Sequence, residues 1–254
     1  MEGHETWFHF IPGVRQLDVA ISESLGHGIL GSTAQHSPHV IMGIAVVIFI
    51  TILAILYRTQ RDASPDGGAV PDGKLSARNF VEILCEQAYG LCEGAMGTSA
   101  ARYFFPLIGT LAFFIFFSNI AGLFPGLLPA TDSLSTTLPA ALIIFFATHI
   151  YGVKKNGAEH FKHMAGPMWQ LSWLIFPIEI ISHIARPLSL ALRLFGNMVG
   201  DHMVLAIFLG LVPLIVPVPA LILGTIVCIV QTLVFCLLSV VYIGMALEDL
   251  HAHH

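Results

Sequence analysis

The sequence predicts an all-α polytopic membrane protein, with about five membrane helices and one interfacial amphipathic helix. The first observation is composition: 56% of the 254 residues are hydrophobic and 11% are charged, against about 25% charged in an average soluble domain. The second is spacing, because apolar runs of about twenty residues alternate with Pro- and Gly-rich turns. The third is that polar side chains recur at helical intervals inside the longest apolar run.

The chain divides into an N-terminal segment and one membrane domain. Residues 1–37 mix polar side chains with Trp7 and Phe8, and the periodicity of 14–30 favours a helix at the membrane surface. Glu2 and Glu5 make the start acidic, which argues against a cleavable signal peptide. We therefore predict a non-cytoplasmic segment over 1–37 and a single helical membrane domain over 38–254.

Within the membrane domain the elements follow in order. His39–Tyr57 is predicted to span, Arg58–Lys74 to form a solvated loop, and Ser76–Met96 to form an amphipathic helix too polar to span. Later spans are predicted at Tyr103–Phe124, Leu134–Val153, Met168 to about Val212, and Ala220–Leu247, with Pro213, Pro217 and Pro219 in the last turn. The run from Met168 exceeds one perpendicular crossing, so it tilts strongly, lies partly in the membrane plane, or breaks.

Basic residues predict the orientation. If the first span runs from outside to inside, Arg15 alone lies outside and Arg186 and Arg193 lie in the membrane. The remaining basic residues then all face the cytoplasm: Arg58, Arg61, Lys74, Arg78, Arg102, Lys154, Lys155 and Lys162. This asymmetry places the N-terminus outside and the C-terminus in the cytoplasm.

The longest run carries a polar stripe. At about 100° per residue, one arc of roughly 80° contains six polar side chains. They are Glu179, Ser182, Arg186, Ser189, Arg193 and Asn197. Asp201 falls at the flank of this arc, and His202 points about 180° away from Arg193. Charges at membrane depth cost about 2.5–3.5 kcal/mol even on lenient scales, so a chain that keeps them there usually uses them.

The run from Arg186 to Met198, Arg-Pro-Leu-Ser-Leu-Ala-Leu-Arg-Leu-Phe-Gly-Asn-Met, resembles the signature helix of subunit a of F-type ATP synthases. The resemblance extends more loosely over residues 104–250. It implies the membrane stator, with two long tilted C-terminal helices facing the rotating ring of c subunits. It also implies a peripheral stalk of subunit b, other ATP synthase subunits and the lipid bilayer as partners, in the inner membrane of a bacterium.

That resemblance implies a proton path rather than a catalytic site. Arg193 would stand where two offset half-channels meet and attract the carboxylates of the ring. Glu179, Ser182, Arg186 and Ser189 would line the cytoplasmic half-channel, and Asp201 and His202 the opposite one. Asn197, Gln231 and Asn119 match further polar positions of the family. The ring carries the ion site in that family, so this chain leaves open whether the ion is H⁺ or Na⁺.

Each assignment has a plainer alternative. Arg193 would otherwise snorkel to a head group, Asn197 would make a helix–helix hydrogen bond, and Glu179 with Arg186 would form structural pairs with other helices. Asp132 is either a residue at the mouth of the path or a helix cap.

One position departs from the family pattern. Where relatives often carry the partner of the group at His202, this chain has Gly224. The adjacent Asp201 is the candidate replacement.

Other function classes find little support in the sequence. The net charge of −5 is small and says nothing about nucleic acid, but the eleven Lys and Arg residues are too few and too scattered for a phosphate-binding patch. The four cysteines, Cys85, Cys92, Cys228 and Cys236, are interpreted as packing residues. The histidines at 160, 163, 251, 253 and 254 lack the company of a metal site, so we expect neither metal nor cofactor. An ion-coupled secondary transporter and a purely structural anchor remain as alternatives; the first would transport a solute alone, and the second would tolerate neutral replacements along the stripe.

Overall fold

The computed structural model describes residues 38–64, 76–124, 127–157, 172–211 and 217–247, together with positions 16 and 20. Its five elements are all helices: α1 Pro38–Asp62, α2 Ala77–Ala121, α3 Leu134–Asn156, α4 Ser172–Leu211 and α5 Pro217–Leu247. Each is long and apolar enough to cross a membrane. The predicted all-α polytopic fold is therefore confirmed. The predictions for 1–37, most of 58–74, the loop near 158–171 and the tail from 248 lie outside the described residues.

Helix α1 lies at the periphery of the bundle. Lipid offers no hydrogen-bond partners to the backbone N–H and C=O groups, so the run of Ile and Val in α1 satisfies these groups by forming a helix. Only Met42 and Val46 are buried, against Ala130 and the half-buried Phe114 and Phe117. The other side of α1 is an exposed apolar surface, suited to lipid or to another protein.

Helix α2 bends where the sequence predicts a change from amphipathic helix to span. Gly97 has φ 77° and ψ 163°, a conformation that only glycine adopts readily, and helix continues on both sides of it. The predicted elements at Ser76–Met96 and Tyr103–Phe124 are thus two arms of one kinked helix. The side chain of Ser76 caps the first arm by accepting a hydrogen bond from the backbone N–H of Asn79.

A buried arginine joins the end of α1 to the start of α2. Arg78 is 1% exposed; its Nε donates to Oε1 of Glu82 at 2.8 Å and its Nη1 to Oγ of Ser64 at 2.7 Å. The backbone N–H of Arg78 donates to Oε1 of Gln60. A buried charge is tolerated when it is paired and hydrogen-bonded, so these contacts fix the amphipathic arm against α1.

Helix α4 is continuous. It runs for 40 residues through Pro177 and Pro187, about 60 Å at 1.5 Å per residue, which is roughly twice the hydrocarbon thickness. A break is therefore ruled out among the three predicted alternatives. Helix α5 starts at Pro217, earlier than the predicted Ala220, so Pro217 and Pro219 belong to its first turn and not to the preceding turn. Proline fits a first turn because its missing N–H has no helical partner there.

Helix α5 is central, since it packs against α2, α3 and α4. Small residues at these contacts let the helix backbones approach closely. This is typical of membrane helices, because lipid tails are apolar and no hydrophobic effect drives the helices together. The cluster shared by the four helices α2 to α5 consists of Ile115, Ala140, Ala141, Ile144, Leu190, Ala191, Leu194 and Phe235. A second cluster joins α2 and α5 and includes Cys92 and Cys236, which pack as predicted for cysteines.

The contacts define two ends of the bundle. At one end, Lys155 Nζ donates to the carbonyl of Leu247 and Asn156 Nδ2 to that of Ala246, so α3 and α5 finish together. The hydrogen bond between Arg78 and Ser64 lies where α1 ends and α2 begins. Gly244, near the end of α5, lies close to Ala95 in the first arm of α2. Basic residues gather here: Arg58, Arg61, Arg78, Lys154 and Lys155. At the other end, Asn119 bonds Thr131 and Leu123 approaches Gly224.

Candidate functional site

The polar stripe follows the edge between the packed face and the outer face of α4. The residues Leu190, Ala191, Leu194 and Met198 are buried against the bundle. Large apolar side chains cover the opposite side of the helix: Ile178, Ile181, Ile184, Leu188, Leu192, Met203 and Ile207. Ser189, Arg193 and Asn197 are exposed, while Glu179, Ser182 and Arg186 are half-buried. The stripe thus lies where the bundle surface begins.

Arg193 projects from that surface without an acceptor. Among the described residues it has neither a hydrogen bond nor an ion pair. Its neighbours along the outer face include Gly196 and Gly200, where an added Cβ would meet nothing within 4 Å. Arg193 therefore lies beside an open strip of the helix surface at Gly196 and Gly200, where no side chain projects.

Asn197 is tied to the neighbouring helix one turn beyond Arg193. Its Nδ2 donates a 2.6 Å hydrogen bond to Oε1 of Gln231 on α5. Gln231 is 3% exposed and its Nε2 has no partner among the described residues. The structure brings these two predicted site residues together.

A small cavity of about 20 Å³ lies on the N-terminal side of Arg193, between α3, α4 and α5. We call it the histidine cavity, and its lining includes Thr148, His149, His183, Arg186 and Tyr242. The guanidinium carbon of Arg186 lies 5.6 Å from the centre of the Tyr242 ring, a cation–π contact. Glu179 and His183 approach at 3.4 Å between Oε1 and Nδ1.

The stripe prediction missed the two histidines of this cavity. The rings of His149 and His183 meet edge to face, with centroids 5.3 Å apart and an interplanar angle of 72°. The sequence did carry a signal, because His149 is an ionisable residue inside a predicted span. His183 follows Glu179 by one helical turn, the spacing at which side chains meet.

A second cavity opens on the C-terminal side of Arg193, between α2, α4 and α5. We call it the Asp201 cavity, and its lining includes Asn119, Asp201, His202, Gly224 and Cys228. Asp201 and His202 share this cavity although they point about 100° apart on the helix. Asn119 is buried, and its Oδ1 accepts a 2.7 Å hydrogen bond from Oγ1 of Thr131.

Orphaned polar atoms concentrate around the Asp201 cavity. Within the described part of the chain, Nδ2 of Asn119, Oδ2 of Asp201 and Nε2 of His202 are buried without a hydrogen-bond partner. Such atoms cost about 1–3 kcal/mol each when they stay unsatisfied. The cavity measures about 20 Å³, room for about one water molecule between these atoms.

Gly224 adjoins the Asp201 carboxylate. A Cβ at Gly224 would lie 4.0 Å from Oδ2 of Asp201 and 2.9 Å from Cδ2 of Leu123. A side chain at this position would therefore point toward Asp201, but Leu123 now fills most of that space. The Asp201 carboxylate of α4 therefore lies in the region that a titratable side chain at position 224 of α5 would have reached.

The helix-cap interpretation of Asp132 is wrong. Helix α3 begins at Leu134 with Ser133 as its cap, whose side chain accepts from the backbone N–H of Ser135. Asp132 is half-buried in the bend before that cap, beside the Asn119–Thr131 pair. In the described ranges no three His, Cys, Asp or Glu side chains gather as a metal site would require.

Comparisons with known proteins agree on one family. The family model described as ATP synthase A chain matches residues 39–244. ATP synthase subunit a 2 of Syntrophotalea carbinolica is 46% identical over 217 residues, covering 85% of this chain and 87% of that protein. ATP synthase subunit a of Sorangium cellulosum is 41% identical over 244 residues, covering 96% and 94%. The subunit a of Geobacter sulfurreducens is 47% identical over 183 residues, covering 72% and 78%.

Proposed function

The chain belongs to the ATP synthase A chain family, and on that premise we propose that it is the stator through which protons reach and leave a rotating ring. It performs no covalent chemistry. Its partners are the c-ring, the subunit b stalk and the other subunits of the complex. Proton flow through the chain turns the ring and so couples ion transport to ATP synthesis.

The observation that carries this proposal is the unpartnered guanidinium of Arg193. Arginine stays protonated in proteins, and a charge at membrane depth costs at least about 2.5 kcal/mol. Since no acceptor lies among the described residues, the compensating carboxylate is supplied by another protein across the open strip at Gly196 and Gly200. Arg193 favours the ionised form of that carboxylate, so each ring carboxyl releases its proton on arrival.

The two cavities support an offset path. Arg186 in the histidine cavity lies about 10 Å along α4 before Arg193, and Asp201 lies about 12 Å beyond it. Between them α4 is packed by Leu190 and Leu194, which are 2% and 0% exposed. Water that enters either cavity therefore stops short of the other, and a proton crosses only by riding on the ring.

The orientation follows from the basic end of the bundle. Arg58, Arg61, Arg78, Lys154 and Lys155 gather at one end, and basic residues favour the cytoplasmic side. We therefore place the histidine cavity toward the cytoplasm and the Asp201 cavity on the other side of a bacterial plasma membrane. The N-terminus is then non-cytoplasmic and the C-terminus cytoplasmic.

The decisive experiment replaces Arg193 in the whole complex. We expect Arg193→Ala to abolish ATP-driven proton pumping while assembly is retained, because nothing then discharges the ring carboxyl. Arg193→Lys fails too, since a point charge on a flexible stem does not reproduce the planar fork. Arg58→Ala, at the end of α1, is the matched control and pumps normally. Normal pumping by an assembled Arg193→Ala complex would overturn the proposal.

A further inference from the structure

The histidine cavity contains two imidazoles whose hydrogen bonds fix their protonation chemistry. Nδ1 of His149 lies 2.9 Å from the backbone carbonyl of Phe145, and Nδ1 of His183 lies 2.9 Å from that of Glu179. A carbonyl oxygen only accepts, so each Nδ1 carries the hydrogen. In a neutral imidazole with a protonated Nδ1, Nε2 is the basic nitrogen. Both rings therefore offer Nε2 as the atom that takes up a proton.

The two rings belong to different helices and meet in the same cavity. His149 is on α3 and His183 on α4, with centroids 5.3 Å apart. His183 is only 15% exposed, whereas its neighbour Glu179 is 34% exposed. The carboxylate thus lies closer to the surface, and the imidazole pair lies deeper in the bundle.

We propose that His149 and His183 form a proton-transfer pair on the path between the outer end of the histidine cavity and the ring at Arg193. The inference rests on the proposed stator function and deepens it. At each transfer an N–H bond forms at Nε2 as the donor's bond to that proton breaks. The same N–H bond breaks when the proton moves to the next acceptor. The Nδ1–H bond to the carbonyl stays intact, so the proton enters and leaves each ring through one nitrogen.

Charged groups around the pair act in opposite directions on its imidazolium form. The Glu179 carboxylate, 3.4 Å from Nδ1 of His183, favours the imidazolium. The Arg186 guanidinium lines the same cavity and disfavours it. Tyr242 of α5 contributes the ring on which Arg186 rests. Two neighbouring imidazoliums repel one another, so the pair holds one excess proton at a time.

The test uses the complete ATP synthase in inverted vesicles carrying His149→Gln or His183→Gln. Glutamine retains an amide that can donate to the carbonyl but does not titrate in this range. We expect ATP-driven pumping per assembled complex to fall about tenfold, because water remains as a slower path, and its pH profile to change between about pH 6 and pH 9. The double replacement is no worse than the worse single one, since both act on one path. His39→Gln on α1, outside the cavity, is the matched control and leaves the profile unchanged.

Three outcomes decide the proposal. Loss of flux with a changed pH profile supports it. Reduced assembly with unchanged flux and profile per assembled complex would show a packing role and overturn it, as would normal pumping by both variants. Where a glutamine variant does not assemble, the shorter asparagine at the same position is judged by the same criteria. Arg193→Ala is measured in parallel to separate the two proposals. Normal pumping by Arg193→Ala would refute the stator function itself. If Arg193→Ala fails to pump while both histidine variants pump normally, only the proton-transfer pair is refuted.

Discussion

Asn197 of α4 donates a 2.6 Å hydrogen bond through Nδ2 to Oε1 of Gln231 on α5. The bond lies one turn beyond Arg193, and it joins the helix that carries the arginine to the central helix of the bundle. Gln231 is buried, so its amide oxygen would otherwise be an unsatisfied acceptor in an apolar setting. The bond therefore fixes the distance between α4 and α5 one turn beyond Arg193.

We expect Asn197 and Gln231 to be energetically coupled. Single and double alanine replacements should deviate from additivity by about 0.6–1.7 kcal/mol, the range for hydrogen bonds between membrane helices. The measurement is the free energy of detergent-induced unfolding of the purified chain in a double-mutant cycle. Asn197→Ala combined with Thr232→Ala is the matched control, because Thr232 bonds only within its own helix to the carbonyl of Cys228. Additivity of the Asn197 and Gln231 replacements would contradict the prediction.

Accessibility from the two sides of the membrane should differ along α4. In a background without the four native cysteines, cysteines at Ser182 and Ser189 should react with an impermeant thiol reagent from the cytoplasm, and one at Asp201 from the opposite side. The reason is that Ser182 and Ser189 precede the packed section around Leu194 on α4, whereas Asp201 follows it. Leu194→Cys is the control and should react from neither side. Labelling of Ser182, Ser189 and Asp201 positions from one side only would indicate a single continuous pore instead.

The stripe could be predicted from the sequence because helical periodicity alone places Glu179, Arg186 and Arg193 on one arc. The same geometry could not show that this arc borders the outer surface, since burial depends on which helices pack against α4. His149 was missed for a related reason: its cavity is assembled from three helices that are distant in the sequence.

The sequence predicted two separate elements where the structure has one kinked helix, α2, and it left the course of α4 open. The composition changes from amphipathic to apolar near Gly97, and glycine permits the positive φ found there. The length of the run from Met168, by contrast, left tilting, lying in the membrane plane and breaking as alternatives, and α4 continues through Pro177 and Pro187. Proline is tolerated inside a membrane helix because neighbouring helices and side chains satisfy the freed backbone groups.

Gly97→Ala should destabilise the chain by about 1–3 kcal/mol, because the backbone at this kink lies in a region that is essentially restricted to glycine. An added Cβ would meet nothing within 4 Å, so the cost is backbone strain and not a clash. Gly94→Ala is the matched control: Gly94 is helical and equally open, so alanine there should stabilise by up to about 1 kcal/mol. Thermal unfolding in detergent measures both. A Gly97→Ala chain as stable as the original would show that the bend tolerates another conformation.

The Asp201 cavity should set the pH dependence of the non-cytoplasmic path. Asp201 and His202 both line it, each with a buried polar atom that lacks a partner among the described residues. Across from them, Asn119 does not titrate in this range, Gly224 has no side chain, and Cys228 is the remaining titratable group of the lining. Because adjacent residues point about 100° apart, the carboxylate and the imidazole would act through shared water and not by direct contact.

If a proton passes both groups, His202→Ala and Asp201→Asn should each lower flux per assembled complex several-fold. This is less than the roughly 10²–10⁴ that a positioned acid or base contributes, because water remains as a slower path. Each should also shift the pH profile of the flux, and the double replacement should be no worse than the worse single one, because serial steps on one path do not add. Thr225→Ala is the control, since Thr225 is exposed on α5, donates within its own helix to the carbonyl of Leu221 and does not line the cavity. It should alter stability slightly and leave the profile in place. Unchanged profiles in both single variants would move the non-cytoplasmic path away from α4, toward Asn119 and Asp132.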